Sequence, residues 1–261
     1  MERLRDELLM RVDHVAPALT PEQFVSHETG LALFGAPLPF TRAAERHLHV
    51  SARHPDGKPR RTGVVGHRLQ LREPARQIVN GIPTEHPARL WRQAAWAWDL
   101  DDVIAAAEFL VLPARRLLTV ADLRREVIEG GDIRGRLLAR ALEEIRVGSE
   151  TAEETRLRLA LTRASLPEPE LNWELRASSG RFVARLDLAY PRYRVAVEHD
   201  GRTHAFDDVQ FARDADRWDA IRGLGWTHVR ILSHHLHPDP QPAIDKATDA
   251  LLSAGWRPGR T

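Results

Sequence analysis

The stretch Arg181–His204, RFVARLDLAYPRYRVAVEHDGRTH, decides how the second half of the chain is read. Two apolar runs, Phe182–Leu188 and Tyr193–Val197, have the composition of strands, and Pro191 between them marks a turn. Asp187 lies near the end of the first run, and Glu198 and Asp200 follow the second. Side chains alternate across a strand, so Asp187 shares a face with Val183 and Arg185, and Glu198 shares one with Asp200. Two neighbouring strands can therefore present converging carboxylates. Crowding acids in this way costs free energy unless a cation neutralises them. The alternative reading has Asp187 capping a strand end while Glu198 and Asp200 pair with Arg185, Arg194 or Arg202.

Working outward, a helix is expected over Thr151–Ala164, then a strand over Leu171–Arg176 and a hairpin turn at Ser178-Ser179-Gly180. After the two acid-bearing strands come a helix over Val209–Leu224, a strand over Thr227–Leu232 and a helix over Pro242–Ser253. The order α-β-β-β-α-β-α, an antiparallel hairpin joined to a helical crossover, indicates an α/β sheet with helices on both faces. Asp200-Gly201 is expected to form the turn leaving its strand, with Gly201 in an unusual φ. The run Ser233-His234-His235-Leu236-His237 invites a zinc site, but adjacent histidines on a strand end point apart and no full ligand set is evident.

Val147-Gly148-Ser149 breaks the preceding helix, so the domain boundary is placed there, giving 1–147 and 148–261. The first domain reads as mostly helical α+β. A helix over 1–13 is followed by a second from Pro21 to Phe34, with Thr20 as N-cap and Gly35 as stop. Strands are expected at His47–Ala52 and Thr62–Leu71. Between and around them, Arg53 to Arg72 is basic, and Lys58, Arg60 and Arg61 form either a wing gripping phosphates or a solvated hairpin tip. Helices follow at Pro87–Trp98, Leu100–Leu112, Val120–Glu129 and Ile133–Arg146. Trp91, Trp96 and Trp98 read as packing residues, and Asp99, Asp101 and Asp102 as capping the next helix more readily than as a metal site.

The chain has 261 residues, is 43% hydrophobic and carries a formal net charge of +1, so it can build proper cores, and any nucleic-acid attraction must come from local patches. Lys58 and Lys246 are the only lysines among 38 basic residues. Arginine suits bidentate phosphate contacts, although Arg-rich, Lys-poor composition also reflects a GC-rich genome. Without cysteine, disulfides, thiol catalysis and thiolate zinc sites are excluded. No signal peptide or membrane-length apolar run is visible, so a soluble cytoplasmic protein with no membrane partner is expected. No P-loop, G-x-G-x-x-G or G-x-S-x-G follows a strand.

The acidic helix, Asp187, Glu198-x-Asp200-Gly201-x-x-His204, Arg213-Asp214-x-x-Arg217 and Gly225-Trp226 together resemble the PD-(D/E)XK superfamily, in its branch similar to the very-short-patch-repair endonuclease, over roughly 149–237. The resemblance implies a restriction-endonuclease-like fold that hydrolyses DNA with Mg²⁺ or Mn²⁺, nicking included, in DNA repair or in defence against phage and mobile elements. It implies Asp187, Glu198 and the backbone carbonyl of His199 as metal ligands, with Glu154 as a further carboxylate. Glu154 is preferred over Glu150 and Glu153 because it lies one helical turn from Leu157 and Arg158. Asp200 stands where the pattern usually ends in lysine. His204 or Arg217 could then carry the proton or clamp the phosphate, and Arg213 and Arg217 are candidate phosphate contacts.

Ser26-His27-Glu28-Thr29-Gly30-Leu31-Ala32, with Phe34-Gly35 and Leu38-Pro39, is similar to the AbiEi-type abortive-infection antitoxin region, its usual leading winged helix being shortened or missing. That resemblance implies a first domain that docks DNA, a protein partner or a second copy. The rival functions are a non-catalytic DNA-binding or antitoxin-like regulator with a degenerate nuclease fold, and an RNase toxin using the same metal chemistry.

Overall fold

The computed structural model describes residues 2–39, 47–53, 57–69, 76–201 and 208–259, without side chains for 2–4, 69 and 208–215. The chain divides into two compact units, Met1–Arg146 and Val147–Thr261. Both are α/β, each built on a mixed sheet flanked by helices.

In the first unit, α1 (Glu2–Val15) is followed by β1 (Gln23–Val25), α2 (His27–Leu33), β2 (Leu48–Arg53), β3 (Val64–Leu69), β4 (Arg76–Val79) and β5 (Ile82–Glu85). Among the described residues the sheet order is β3-β2-β1-β5-β4, with β2/β3 and β1/β5 parallel and the other pairs antiparallel. Leu8 and Val12, one turn apart on α1, pack with Val25, Ala32, Leu48 and Ile82.

The helix expected from Pro21 starts only at His27, because Phe24 and Val25 are buried in the middle strand, where Phe24 pairs with Ser51. Its N-cap is accordingly Ser26, not Thr20. The Ser26 hydroxyl makes no cap bond, since it meets Ser51 Oγ at 2.8 Å and His27 Nδ1 at 3.0 Å. The hairpin β4–β5 was not expected. It turns on Asn80-Gly81, both at positive φ (51° and 78°), as a two-residue turn with the right twist requires.

Helices α3 (Pro87–Ala94), α4 (Leu100–Val111), α5 (Val120–Gly130) and α6 (Leu137–Glu144) complete the unit. The last begins later than Ile133 because Arg134, Gly135 and Arg136 all take positive φ, and Asp132 accepts from the Leu138 and Ala139 amides at 2.9 and 3.0 Å. Trp91 and Trp98 are buried, donating to the Val103 carbonyl and to Glu28 Oε2, both at 2.9 Å. Trp96, expected to pack, is 66% exposed instead.

The second unit runs α7 (Ala152–Arg163), β6 (Glu170–Arg176), β7 (Phe182–Tyr190), β8 (Val195–Asp200), α8 (Asp208–Gly223), β9 (Thr227–Leu232), α9 (Ser233–Leu236) and α10 (Gln241–Ser253). The sheet order is β6-β7-β8-β9, with β8/β9 parallel and the rest antiparallel. Tyr193, expected in a strand, belongs to a 3-10 turn over Pro191–Tyr193, and Arg194 at φ 51° delays β8 to Val195. The segment Ser233–Leu236 is a short helix and not a strand end.

One face of this sheet buries Leu188, Val197 and Ile231 against Leu157 and Leu161 of α7 and Ala247 and Leu251 of α10. A fully buried leucine contributes about 1.5–3 kcal/mol, so this layer anchors the strands. On the other face Ala189 and Ala196 pack with Ile221 of α8 and with Trp226. Asp187 and Glu198 stand on that second face, two residues from Ala189 and Ala196 respectively.

Candidate functional site

Pairing of β7 with β8 runs Tyr190↔Val195, Ala189↔Ala196 and Leu188↔Val197. One step further along this register, Asp187 comes opposite Glu198, at the point where the strands part. On the other side, β6 pairs Leu171 with Leu188 and Trp173 with Leu186, passing over Asn172, which takes left-handed backbone (φ 50°) at the position facing Asp187. The ladder is thus interrupted on both sides of the acid. A cleft of about 640 Å³ opens there, lined by Glu150, Glu154, Asp187, Glu198, Asp200 and Arg217 among others.

The carboxylates have different surroundings. Burial, with Glu154 and Glu198 nearby, pushes Asp187 up to about 8, even though Arg217 and the backbone N–H of His199 oppose the shift. Burial also raises Glu154. Its oxygens close the first turn of α7, Oε2 accepting from the Glu150 amide at 2.8 Å and Oε1 from the Thr151 hydroxyl at 3.0 Å. Burial would raise Glu198 as well, but hydrogen bonding to His228 and the charge of Arg217 hold it below the usual range. Arg217 grips Glu198 in bidentate fashion at 2.7 and 3.0 Å and donates to the Arg185 carbonyl at 2.8 Å, while His228 Nε2 lies 2.9 Å from Glu198 Oε2.

Asp200 accepts from Arg230 Nε at 2.7 Å, and the Arg230 guanidinium stacks 4.7 Å from the Trp218 ring centroid. Arg185 pairs with Glu150 at 2.8 Å. Glu198 and Asp200 pair with Arg217 and Arg230, which arrive from α8 and β9, while Arg202, one of the arginines expected to pair with them, lies outside the described residues. Gly201 does not take positive φ, because β8 remains extended through Asp200.

The expected ligands Glu154, Asp187, Glu198 and His199 line one cleft, and His199 reaches Asp187 through its backbone N–H. The three carboxylates nevertheless do not gather as a set within 4.8 Å of one another. Among the described residues, only His27, His49 and His67 form such a group. Glu154 is occupied in capping and Glu198 in pairing with Arg217, so both must turn to share an ion with Asp187. The chemistry of the donors still fits one: the set is hard oxygen throughout, and Asp187 lies in an environment that a cation would relieve.

His204 lies outside the described residues, as does the side chain of Arg213. Lys58, Arg60 and Arg61 belong to the first unit. Lys58 and Arg61 are exposed like Arg60, and Arg61 donates to the Ala18 carbonyl at 2.5 Å. The histidines after β9 form no metal group: His235 Nδ1 accepts from the Leu232 amide at 3.0 Å, and His237 Nε2 meets Glu153 at 2.7 Å. Sequence reading missed His228 and Asn172. Strand alternation places His228 on the face of Arg230, but nothing short-range connects it to Glu198.

No family model matches the chain, and no solved structure gives a significant match. The chain is similar to proteins of Mycobacterium tuberculosis strains CDC 1551 / Oshkosh and ATCC 25618 / H37Rv, each named only as an uncharacterized protein, at 31% identity over 121 residues. The match spans 46% of this chain and 44% of each relative.

Proposed function

We propose that the second unit is a metal-dependent nuclease that hydrolyses phosphodiester bonds in DNA. The observation that carries this reading is the position of Asp187, opposite Glu198 at the parting of two strands and pushed up to about 8 by burial and by its acidic neighbours. Asp187 with Glu198, and Glu154 once released from its cap, would hold a Mg²⁺ or Mn²⁺ ion. When bound, the ion supplies an activated water and neutralises charge on the phosphate.

The chain's own residues supply the rest. Arg217 brings to the cleft the positive charge that lysine provides in the usual pattern, and its planar fork suits a phosphate as well as it suits Glu198. Arg230 keeps Asp200 paired, so this third acid adds little uncompensated charge near the DNA. His228 Nε2 holds one oxygen of Glu198 and fixes its orientation when Arg217 turns to substrate.

A second reading, a non-catalytic DNA-binding regulator, is favoured by one observation: Glu198 is fully engaged by Arg217 and His228. Supercoiled plasmid incubated with wild type, Asp187→Ala and Glu198→Ala in Mg²⁺ or Mn²⁺ separates the two. Nicking or linearisation by wild type alone is expected. Equal cutting by all three refutes the site, and DNA retention in a gel-shift assay without cutting supports the regulator. A parallel RNA substrate tests for a ribonuclease.

A further inference from the structure

In the first unit, far along the chain from the acidic cleft, three histidines from different elements meet. His49 lies on β2 and His67 on the edge strand β3, both at odd positions of a parallel register that pairs His49 with Val65 and Ser51 with His67, so they share a face. His27 is the first residue of α2. Their ring centroids lie 3.8 Å (His27 to His67), 5.1 Å (His49 to His67) and 5.2 Å (His27 to His49) apart. One ring nitrogen from each falls within 4.8 Å of the others. From this juxtaposition we infer that His27, His49 and His67 form a binding site for a borderline divalent metal ion, zinc foremost, that pins β2, β3 and α2 together.

Three further features set the rings up as ligands. His49 Nδ1 and His67 Nε2 face each other at 2.9 Å as a hydrogen-bonded pair, and two imidazoles on a tetrahedral zinc place their nitrogens about 3.3 Å apart with both lone pairs aimed at the ion, so binding exchanges this hydrogen bond, and the stacking of His27 on His67, for a rotation of the rings. Ser26 Oγ engages His27 Nδ1 at 3.0 Å and is itself fixed by the buried Ser51 hydroxyl at 2.8 Å, which leaves His27 Nε2 as the free nitrogen and supplies the outer-shell partner metal-bound histidines usually have. The backbone of His27 is held at φ 53°, its N–H donating to Gln93 Oε1 at 3.1 Å, and the His49 N–H donates to Thr29 Oγ1 at 2.9 Å. A β-carbon-bearing residue held in left-handed backbone at a helix start is the kind of strain that collects at ligand sites.

The protonation state suits a metal. Burial and mutual repulsion lower His27 to about 2 and His67 to about 4, and burial lowers His49, so all three are neutral near pH 7. The surrounding charges are Glu28, which favours a cation at His49, His47, which opposes one there, and Lys58, which opposes one at His67. Softer thiolate ligands are absent from the chain, and imidazole alone is a good match to zinc, copper or nickel. The three rings fill three positions of a tetrahedron, leaving the fourth for water or an added ligand.

The test uses the full chain stripped with a chelator and titrated with Zn²⁺ by calorimetry, beside a thermal melt. With excess Mg²⁺ present to occupy the acidic cleft, one equivalent of Zn²⁺ bound per chain, with a rise in the melting temperature and almost no proton release at pH 7 in buffers of differing ionisation enthalpy, is expected. His49→Ala and His67→Gln should each lower the affinity at least tenfold. Asp187→Ala should bind as wild type does, which keeps this site distinct from the acidic cleft. Failure of wild type to bind Zn²⁺, or unchanged binding in both histidine variants, overturns the inference. Should His49→Ala fail to fold by circular dichroism, His67→Gln on the half-exposed edge strand decides alone.

Discussion

Asp187→Asn should make the metal-free protein more stable at pH 8. In the folded chain Asp187 is raised from 3.8 to about 8, by burial first and then by Glu154 and Glu198. Between those values the unfolded chain has lost its proton while the folded chain keeps it, so stability falls as pH rises through the window and is fully present only below the unfolded value. A span of about four pH units at about 1.4 kcal/mol each sets a ceiling of ~6 kcal/mol. Water entry and side-chain relaxation reduce this, so a gain of about 2 kcal/mol is expected for the neutral isostere, raising the melting temperature by roughly 5–10 °C. Asparagine keeps the acceptor for the His199 N–H and removes the charge. The assay is a thermal melt of wild type and variant in chelator at pH 5, 6.5 and 8. Their difference should be small at pH 5 and grow towards pH 8, and added Mn²⁺ should close it by stabilising wild type alone. A variant no more stable than wild type at pH 8, or a difference independent of pH, would refute the account of Asp187 as a crowded acid awaiting a cation.

Three further outcomes are expected. Arg217→Ala strands a buried carboxylate and should cost about 2 kcal/mol, less than a fully buried pair because Arg217 is 32% exposed; urea denaturation at pH 7 checks this, and the loss should shrink as pH falls below about 4.5, where Glu198 in the unfolded chain takes up its proton. Gly66→Ala should cost about 1–3 kcal/mol by the same assay, since a methyl group on β3 would collide with the backbone carbonyl of Pro59 in the segment that crosses the strand. Thr119→Ala, which opens the capping box with Asp122 at the start of α5, should cost about 1 kcal/mol.

What the sequence disclosed follows from how far each determining interaction reaches. The acid-bearing strands were legible because alternation and the Pro191 turn are local, and α7 because its apolar face and the Thr151 cap lie within one element. The start of α2 was not. Helical spacing is satisfied by residues 21–34, and only the tertiary pairing of Phe24 with Ser51 turns the first part into a strand. The β4–β5 hairpin carried an Asn80-Gly81 signal, but Pro83 in an interior strand argues against the assignment, and β5 tolerates it because its recorded pairing with β1 is at Thr84. Among site residues, Asp187 and Glu198 were legible from the crowding of acids at the ends of neighbouring strands, whereas Arg217 was named only through the family resemblance. His228, and the grouping of His27 with His49 and His67, depend on contacts across 18 to 40 positions of chain that no periodicity records.

Under the proposed nuclease reading, Asp200 stands where the resembled pattern ends in lysine, and the cleft offers a physical resolution of that departure. A lysine there would sit on β8 beside Glu198. In this chain that place holds an acid neutralised from β9 by Arg230, while the positive charge arrives from α8 as Arg217. The two exchanges compensate, since one moves a cation off the strand and the other brings one in over the same carboxylates. The consequence is a coupled prediction. Asp200→Lys alone should repel Arg230 and gain no activity, whereas Asp200→Lys with Arg230→Ala should tolerate the lysine. If the double variant also relieves the dependence of plasmid cutting on Arg217, the helix arginine stands in for the missing strand lysine. If cutting by the double variant still collapses on Arg217→Ala, Arg217 acts by holding Glu198 in place.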